Sequence, residues 1–305
     1  MTLPAAGAHG GDGPAVAAAL GLDPAELVDL SQNMNPVAPP VGPLVRRHLD
    51  ALHRYPDAGP ATTLLAQVLD VEPARVLLTN GGSEAIHLVT RVLGGHVRSE
   101  PEFGLHPRLG RGRGRGGTMA GDEVRWRTDP HSPTGRLAAP GEHADVWDEA
   151  FYALATGRWT ADREGVTVVG SLTKTFACPG LRLGYVVADP EVVRRCAEHQ
   201  PHWSVSTLAL AVLPDLLESA DLTRWAGAVA TLRAQLADLL RAHGLAVRAA
   251  DAPWVLVEEP GLRARLAPHG VLVRDCTSFG LPGTARIAVP DEAGLDRLEA
   301  ALRRA

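Results

Sequence analysis

The run Arg75-Val76-Leu77-Leu78-Thr79, followed at once by Asn80-Gly81-Gly82 and then by apolar residues at Ala85, Ile86, Val89, Val92 and Leu93, narrows the possible folds more than any other feature. A short apolar run, a glycine turn and a helical period of apolar positions spell a strand, turn, helix unit. Further strands are expected at 145–148, 166–170 and 183–188, with helices or loops between them. Strands alternating with helices argue for a mainly parallel α/β sheet. Beyond Trp203 the pattern changes: long helical stretches at 207–217 and 223–243 precede strands near 254–257, 271–274 and 285–289 and a last helix at 292–302. That is a smaller α+β unit. The Asn- and Pro-rich run VDLSQNMNPVAPPVGP at 28–43 favours an extended arm over a helix. The expected division is therefore an arm at 1–43, a large domain at 44–203 and a small domain at 204–305.

With 305 residues and 45% hydrophobic content, the chain has enough apolar surface for a large core. A formal charge of −5 gives no basic field of the kind nucleic acid requires. Three cysteines, Cys178, Cys196 and Cys276, have no paired spacing, so neither a disulfide framework nor a zinc site is expected, and a reducing cytoplasm fits. The twelve histidines form no metal-ligand spacing, and no metal is expected. No signal peptide or membrane span is read. The stretch GRGRGRGG at 110–117 contains G-x-G-x-x-G, but no apolar strand leads into it as a dinucleotide site requires. A flexible, positively charged loop is the better account.

The run from Gly170 to Tyr185, GSLTKTFACPGLRLGY, carries the strongest chemical signal. Lys174 lies just past an expected strand among small and apolar residues, where partial desolvation lowers an amine's pKa and makes it a nucleophile. Arg182, eight residues on, with Ser171 and Thr173 nearby, supplies a cation and hydroxyls suited to a phosphate. At the end of another strand stands Asp148-Glu149-Ala150-Phe151-Tyr152, and at a helix start Asn80-Gly81-Gly82-Ser83-Glu84, where free backbone N–H groups and the helix dipole favour an anion.

These segments resemble, in the family's order and over almost the whole chain from His9, the fold-type I pyridoxal-phosphate (PLP) enzymes of the aminotransferase class I/II group. The nearest branch includes histidinol-phosphate aminotransferase and threonine-phosphate decarboxylase. The resemblance implies the type I PLP-transferase fold, with PLP as cofactor. It implies that Lys174 carries the cofactor covalently, that Asp148 pairs with the pyridine nitrogen, and that Gly82, Ser83, Ser171, Thr173 and Arg182 surround the phosphate. Phe103 takes the place of the ring that stacks on the pyridine, and Phe151 falls within the cofactor group. Tyr55, in Arg54-Tyr55-Pro56-Asp57, resembles a tyrosine that reaches the neighbouring subunit's cofactor, which implies a homodimer. One position departs from the pattern: Asp129-Pro130-His131-Ser132-Pro133-Thr134-Gly135 puts Ser132 where relatives carry an asparagine that bonds the cofactor's 3-oxygen. The stretch between Phe103 and Thr128 is also shorter than in most relatives.

Arg274 and Arg286 lie twelve residues apart in the small domain, and two planar cationic forks facing one cleft suit a substrate with two anionic ends. By resemblance, Arg286 binds the substrate carboxylate and Arg274 lies near its phosphate. His9-Gly10-Gly11 followed by Ser31-Gln32-Asn33-Met34-Asn35-Pro36 is similar to the H-G-G and S-x-N-x-N-P pattern of the threonine-phosphate decarboxylases of cobalamin synthesis. This puts His9 and Asn35 among the substrate residues and makes decarboxylation of L-threonine O-3-phosphate to aminopropanol phosphate the expectation that the resemblance implies. Two alternatives stand beside it. One is an aminotransferase of the histidinol-phosphate type. The other, motivated by Ser132 and the short middle stretch, is a PLP-binding protein with little turnover.

Overall fold

The computed structural model describes residues 3–7, 10–97, 102–108 and 124–305. His9 and the glycine-arginine stretch at 110–117 lie outside these residues. The chain begins with helix α1 (Gly13–Leu20), strand β1 (Val28–Leu30) and helices α2 (Val41–Arg47) and α3 (Gly59–Leu69). Strand β2 (Val76–Asn80) then turns directly into α4 (Gly81–Leu93). Next come β3 (His96–Val97), β4 (Arg125–Thr128), β5 (Val146–Asp148), the short helix α5 (Tyr152–Thr156), β6 (Thr167–Gly170), the single turn α6 (Leu172–Thr175) and β7 (Leu183–Val187). Three helices follow: α7 (Pro190–His199), α8 (Thr207–Glu218) and α9 (Leu222–Ala242). The remainder is β8 (Val247–Ala249), β9 (Trp254–Glu258), α10 (Leu262–Leu266), β10 (Val271–Asp275), β11 (Thr284–Ala288) and α11 (Glu292–Leu302).

Two sheets result. The larger has the order β2-β7-β6-β5-β4-β3, parallel from β6 through β3 and antiparallel where β7 joins β2 and β6. Its middle strands, Val-Trp-Asp in β5 and Thr-Val-Val-Gly in β6, are buried on both faces, as strands covered by helices on each side must be. On one side α4 and α7 pack Ala85, Ile86, Val89, Val193 and Cys196 against Val169 and Val186. On the other, α3 and α8 join Leu78, Leu172, Phe176 and Leu183. The smaller sheet, β1-β10-β11-β9-β8, is antiparallel except for the pairing of β1 with β10. The second half of α9 and α11 cover it.

Two details differ from the sequence expectation. The arm holds a strand, β1, which is only three residues long and pairs with a segment some 240 residues away, a partner that no local pattern reveals. The border drawn after Trp203 does not follow the packing. Leu210, Leu213 and Leu217 of α8 and Trp225 of α9 belong to the large-sheet core, while Leu232, Leu236 and Leu240 of α9 belong to the small-sheet core.

Candidate active site

A cavity of about 590 Å³ opens where the carboxyl ends of β5 and β6, the start of α4 and the small sheet meet. Lys174 reaches it from α6, whose single turn is fixed from outside the helix. The Asn35 N–H donates to Lys174 O at 3.1 Å, and Asn35 Nδ2 donates to Thr175 O at 2.9 Å. Burial, then the nearby guanidinium groups of Arg286 and Arg182, push the Lys174 amine down to about 8 against the opposing pull of Asp148. Lys174 is also the single lysine of the chain.

Asp148 closes β5 and is buried at the cavity wall. Its Oδ1 accepts from the Ala150 N–H at 3.0 Å, and its Oδ2 lies 2.9 Å from Nε2 of a fully buried histidine, His106. Nδ1 of that histidine lies 3.7 Å from Oε2 of Glu102, an ion-pair separation too long for a hydrogen bond. Burial works against the charged ring. The hydrogen bond to Asp148 and the charges of Asp148 and Glu102 more than offset it, and the His106 pKa is raised to about 9. Sequence reasoning passed over His106, although it stands in the same short run as Phe103. Its spacing of four from Glu102 was the one visible signal.

The structure also brings Gly82, Ser83, Ser171 and Arg182 to the wall of this cavity. Gly81 has φ 75°, and a Cβ there would stand 2.4 Å from Arg182 Nη2, so the guanidinium passes where only glycine leaves room. Thr173 lines the same wall, but its hydroxyl donates to Leu183 O (3.1 Å) and accepts from Leu183 N (3.3 Å). It ties α6 to β7. Phe103, Phe151 and Ser132 also face the cavity. The Phe151 ring meets Trp254 edge-on at 4.9 Å, with Lys174 Nζ 6.0 Å from its centre. Ser132 is held from behind, its N–H donating to Thr128 Oγ1 at 2.7 Å.

Arg274 and Arg286 are direct partners across β10 and β11, and both line the cavity. Their guanidinium carbons lie 5.6 and 5.4 Å from the centre of the Phe279 ring between them. Arg274 donates from Nη1 to Gly7 O and from Nη2 to Ser278 Oγ, each at 2.7 Å. Burial lowers the Arg286 pKa to about 10, which still leaves it charged at neutral pH. Asn33, with its amide oxygen turned towards Arg286, accepts from Nε at 3.3 Å and Nη2 at 3.2 Å.

This corrects one assignment. Asn35 does not line the cavity, because its amide bonds Thr175 O and the Val37 N–H, and Asn33 takes the facing position instead. The Gly10-Gly11 pair packs on this same segment: Gly11 N donates to Ser31 Oγ at 3.0 Å, and a Cβ on Gly10 would stand 2.3 Å from Ser31 O. Tyr55 lies outside the cavity, 79% exposed, with its ring 4.8 Å from that of Trp203. Among the described residues no group of His, Cys, Asp or Glu side chains could hold a metal ion, and no helix is long and apolar enough to cross a membrane.

A buried amine of lowered pKa, a carboxylate backed by a histidine, and a helix N-terminus with an arginine thus share one cavity. A sequence profile of the aminotransferase class I and II family matches residues 126–302, more than half of the chain. The chain belongs to that family. Its cofactor is pyridoxal 5'-phosphate, and it is an enzyme of the aminotransferase or decarboxylase type. A histidinol-phosphate aminotransferase of Natronomonas pharaonis is 30% identical over 89% of this chain and 89% of its own length. A threonine-phosphate decarboxylase of Salmonella typhimurium is 31% identical over 97% of this chain and 96% of its own. The crystal structure of a histidinol-phosphate aminotransferase from Sinorhizobium meliloti in complex with pyridoxal-5'-phosphate shares the fold, with a TM-score of 0.71 at 18% identity over 88% of each chain.

The cavity suits such a cofactor on its own chemistry. An anion-binding helix start and Arg182 lie on one side, a charge-backed carboxylate lies on the other, and the amine completes the set.

Proposed function

We propose that this enzyme decarboxylates L-threonine O-3-phosphate to aminopropanol phosphate, and that its active unit is a homodimer. In this reading Lys174 carries the cofactor, Asp148 faces the ring nitrogen, Gly82, Ser83, Ser171 and Arg182 hold the phosphate, and Phe103 covers one ring face. Phe151 and Ser132 complete the surround. When bound, PLP supplies an electron sink for negative charge developing at the substrate's Cα.

The observation that carries the substrate choice is the pairing of Arg274 and Arg286 across adjacent strands, both directed into the cavity that holds Lys174. Two cations on neighbouring strands suit a short molecule with a carboxylate and a second anion close together. Arg286, braced by Asn33, grips the carboxylate, and Arg274 receives the phosphate. Arg286 would set the direction of the carboxylate relative to the cofactor, and that direction would decide whether CO2 or the α-proton is the group lost from Cα. Once the substrate's amine had displaced it from the cofactor, the freed Lys174 Nζ would be the group placed to return a proton to Cα. Loss of the α-proton in place of CO2 would give amino transfer.

The Natronomonas relative supports that second reading, an aminotransferase of the histidinol-phosphate type. The test is direct. Purified holoenzyme is given L-threonine O-3-phosphate, with CO2 and aminopropanol phosphate measured, and separately histidinol phosphate with 2-oxoglutarate, with glutamate measured. Release of CO2 in the first reaction is expected. Glutamate from the second without CO2 from the first would replace the decarboxylase reading with the aminotransferase one, and product from neither would leave a PLP-binding protein of little turnover.

A further inference from the structure

Behind the cavity wall, Glu102 is buried and sits between two parts of the site that the sequence keeps apart. Its Oε2 lies 3.7 Å from His106 Nδ1 and accepts from Thr128 Oγ1 at 3.0 Å. Its Oε1 lies 3.4 Å from His131 Nε2, and its main-chain oxygen accepts from Arg108 Nη2 at 2.7 Å. The Thr128 hydroxyl in turn accepts from the N–H of Ser132, which lines the cavity. His106 is flanked by one carboxylate on each ring nitrogen and otherwise by the rings of Phe103 (5.6 Å) and Trp126 (5.4 Å). A neutral imidazole so placed would leave one buried carboxylate facing a lone pair. An imidazolium presents an N–H to each.

We propose that Glu102 is a positioning residue: its carboxylate, on the far side of His106 from Asp148, holds the imidazole as a cation that donates to Asp148 and keeps that carboxylate aimed at the cofactor ring. The same Glu102, through Thr128, fixes the Ser132 backbone on the 3-oxygen side, so one buried charge sets both flanks of the ring. The cofactor placement proposed above is the one assumption that this inference shares with the functional reading.

The test uses the full chain and a readout that does not depend on turnover. In apoprotein labelled with ¹⁵N-histidine, with His106→Asn assigning the signal, the His106 ring of the wild type should stay doubly protonated through pH 8. Glu102→Gln should lower its titration by at least about one pH unit, because a carboxamide keeps the shape and removes the charge. PLP affinity of Glu102→Gln, measured by equilibrium dialysis, should fall about tenfold, a mid-range effect for residues coupled within one hydrogen-bond network. Glu102→Asp, which keeps the charge on a shorter stem, should recover part of both effects.

A wild-type His106 that titrates near its ordinary value overturns the proposal without any variant having to fold. So does a Glu102→Gln protein with an unchanged His106 titration. If Glu102→Gln shifts His106 but leaves PLP affinity intact, the proposed link to the cofactor is wrong. Asp148→Asn then locates the fault, since unchanged affinity in that variant as well would sink the cofactor placement itself.

Discussion

At the scale of single residues, the chain's one lysine is its most telling choice. The other basic side chains of permanent charge are arginine, whose guanidinium stays protonated at any accessible pH, so an amine that must lose its proton has to be lysine. With the amine held near a pKa of about 8, the neutral fraction falls roughly tenfold for each pH unit below that value. Covalent trapping of PLP on apoprotein by borohydride should therefore speed up with rising pH and level off above about 8. Lys174→Ala should abolish both the trapped adduct at this position, read by peptide mass spectrometry, and the absorbance band of the bound cofactor.

His106 has the opposite sign. Its pKa, raised to about 9 from an unfolded value near 6.5, gives stability that is complete below the unfolded value and lost as pH rises through about 9. Replacing His106 with alanine leaves the buried Asp148 and Glu102 without the cation between them, at a cost of roughly 3–5 kcal/mol in urea unfolding at pH 7. A loss under about 1 kcal/mol would mean that those carboxylates find other partners. Lys174, Asp148 and Arg182 were legible because local context marks them: a strand end, or a fixed spacing within one short run. His106 and Asn33 were not. His106 meets Asp148 across 42 residues of sequence, and Asn33 meets Arg286 only once β1 of the arm has joined the small sheet beside β10.

At the scale of elements, the glycine turn after β2 does two jobs at one point. Gly184 of β7 stands opposite Thr79 of β2, and a Cβ there would lie 2.4 Å from the Gly81 carbonyl carbon and 2.5 Å from Gly82 N. The strand therefore presses directly on the first peptides of α4, whose free N–H groups form the phosphate end of the proposed site. Gly184→Ala must push that helix start outward. The expected cost is about 1–3 kcal/mol in stability, with a loss of PLP affinity larger than the loss of stability predicts. Wild-type affinity in a folded Gly184→Ala protein would show that the helix start does not hold the phosphate.

The same geometry explains which elements could be read in advance. Strands β5, β6 and β7 are buried on both faces and appear as short, nearly continuous apolar runs, and α11 has a clean helical period with Asp291 as its cap. The antiparallel direction of β7 leaves no trace in periodicity. Neither does the continuation of the large core into α8 and α9, since an apolar stripe states that a face is buried but not against what.

At the scale of the whole molecule, the surface carries an apolar group that the fold leaves uncovered. Leu49, Leu52, Tyr55 and Trp203 are 47%, 60%, 79% and 61% exposed, the first three lie within seven residues of one another, and the Tyr55 and Trp203 rings touch. The Thr207 hydroxyl fastens this edge to α8 by donating to Arg54 O at 2.7 Å. Large apolar side chains clustered in this way mark an interface more often than a bare surface. The two-fold assembly proposed here would cover them with the same patch of a second copy, self-complementary as such contacts require. Tyr55, outside its own cavity, would then be in place to complete the neighbour's. A charge in the middle of the patch separates assembly from folding: Leu52→Asp should convert a dimer to a monomer in analytical ultracentrifugation while leaving the circular dichroism spectrum unchanged. If Tyr55 serves the neighbouring site, the monomer should bind PLP more weakly even with Lys174, Asp148 and Arg182 intact, and Tyr55→Phe in the dimer should reproduce part of that loss. A Leu52→Asp monomer with full PLP affinity would confine every cofactor contact to a single chain.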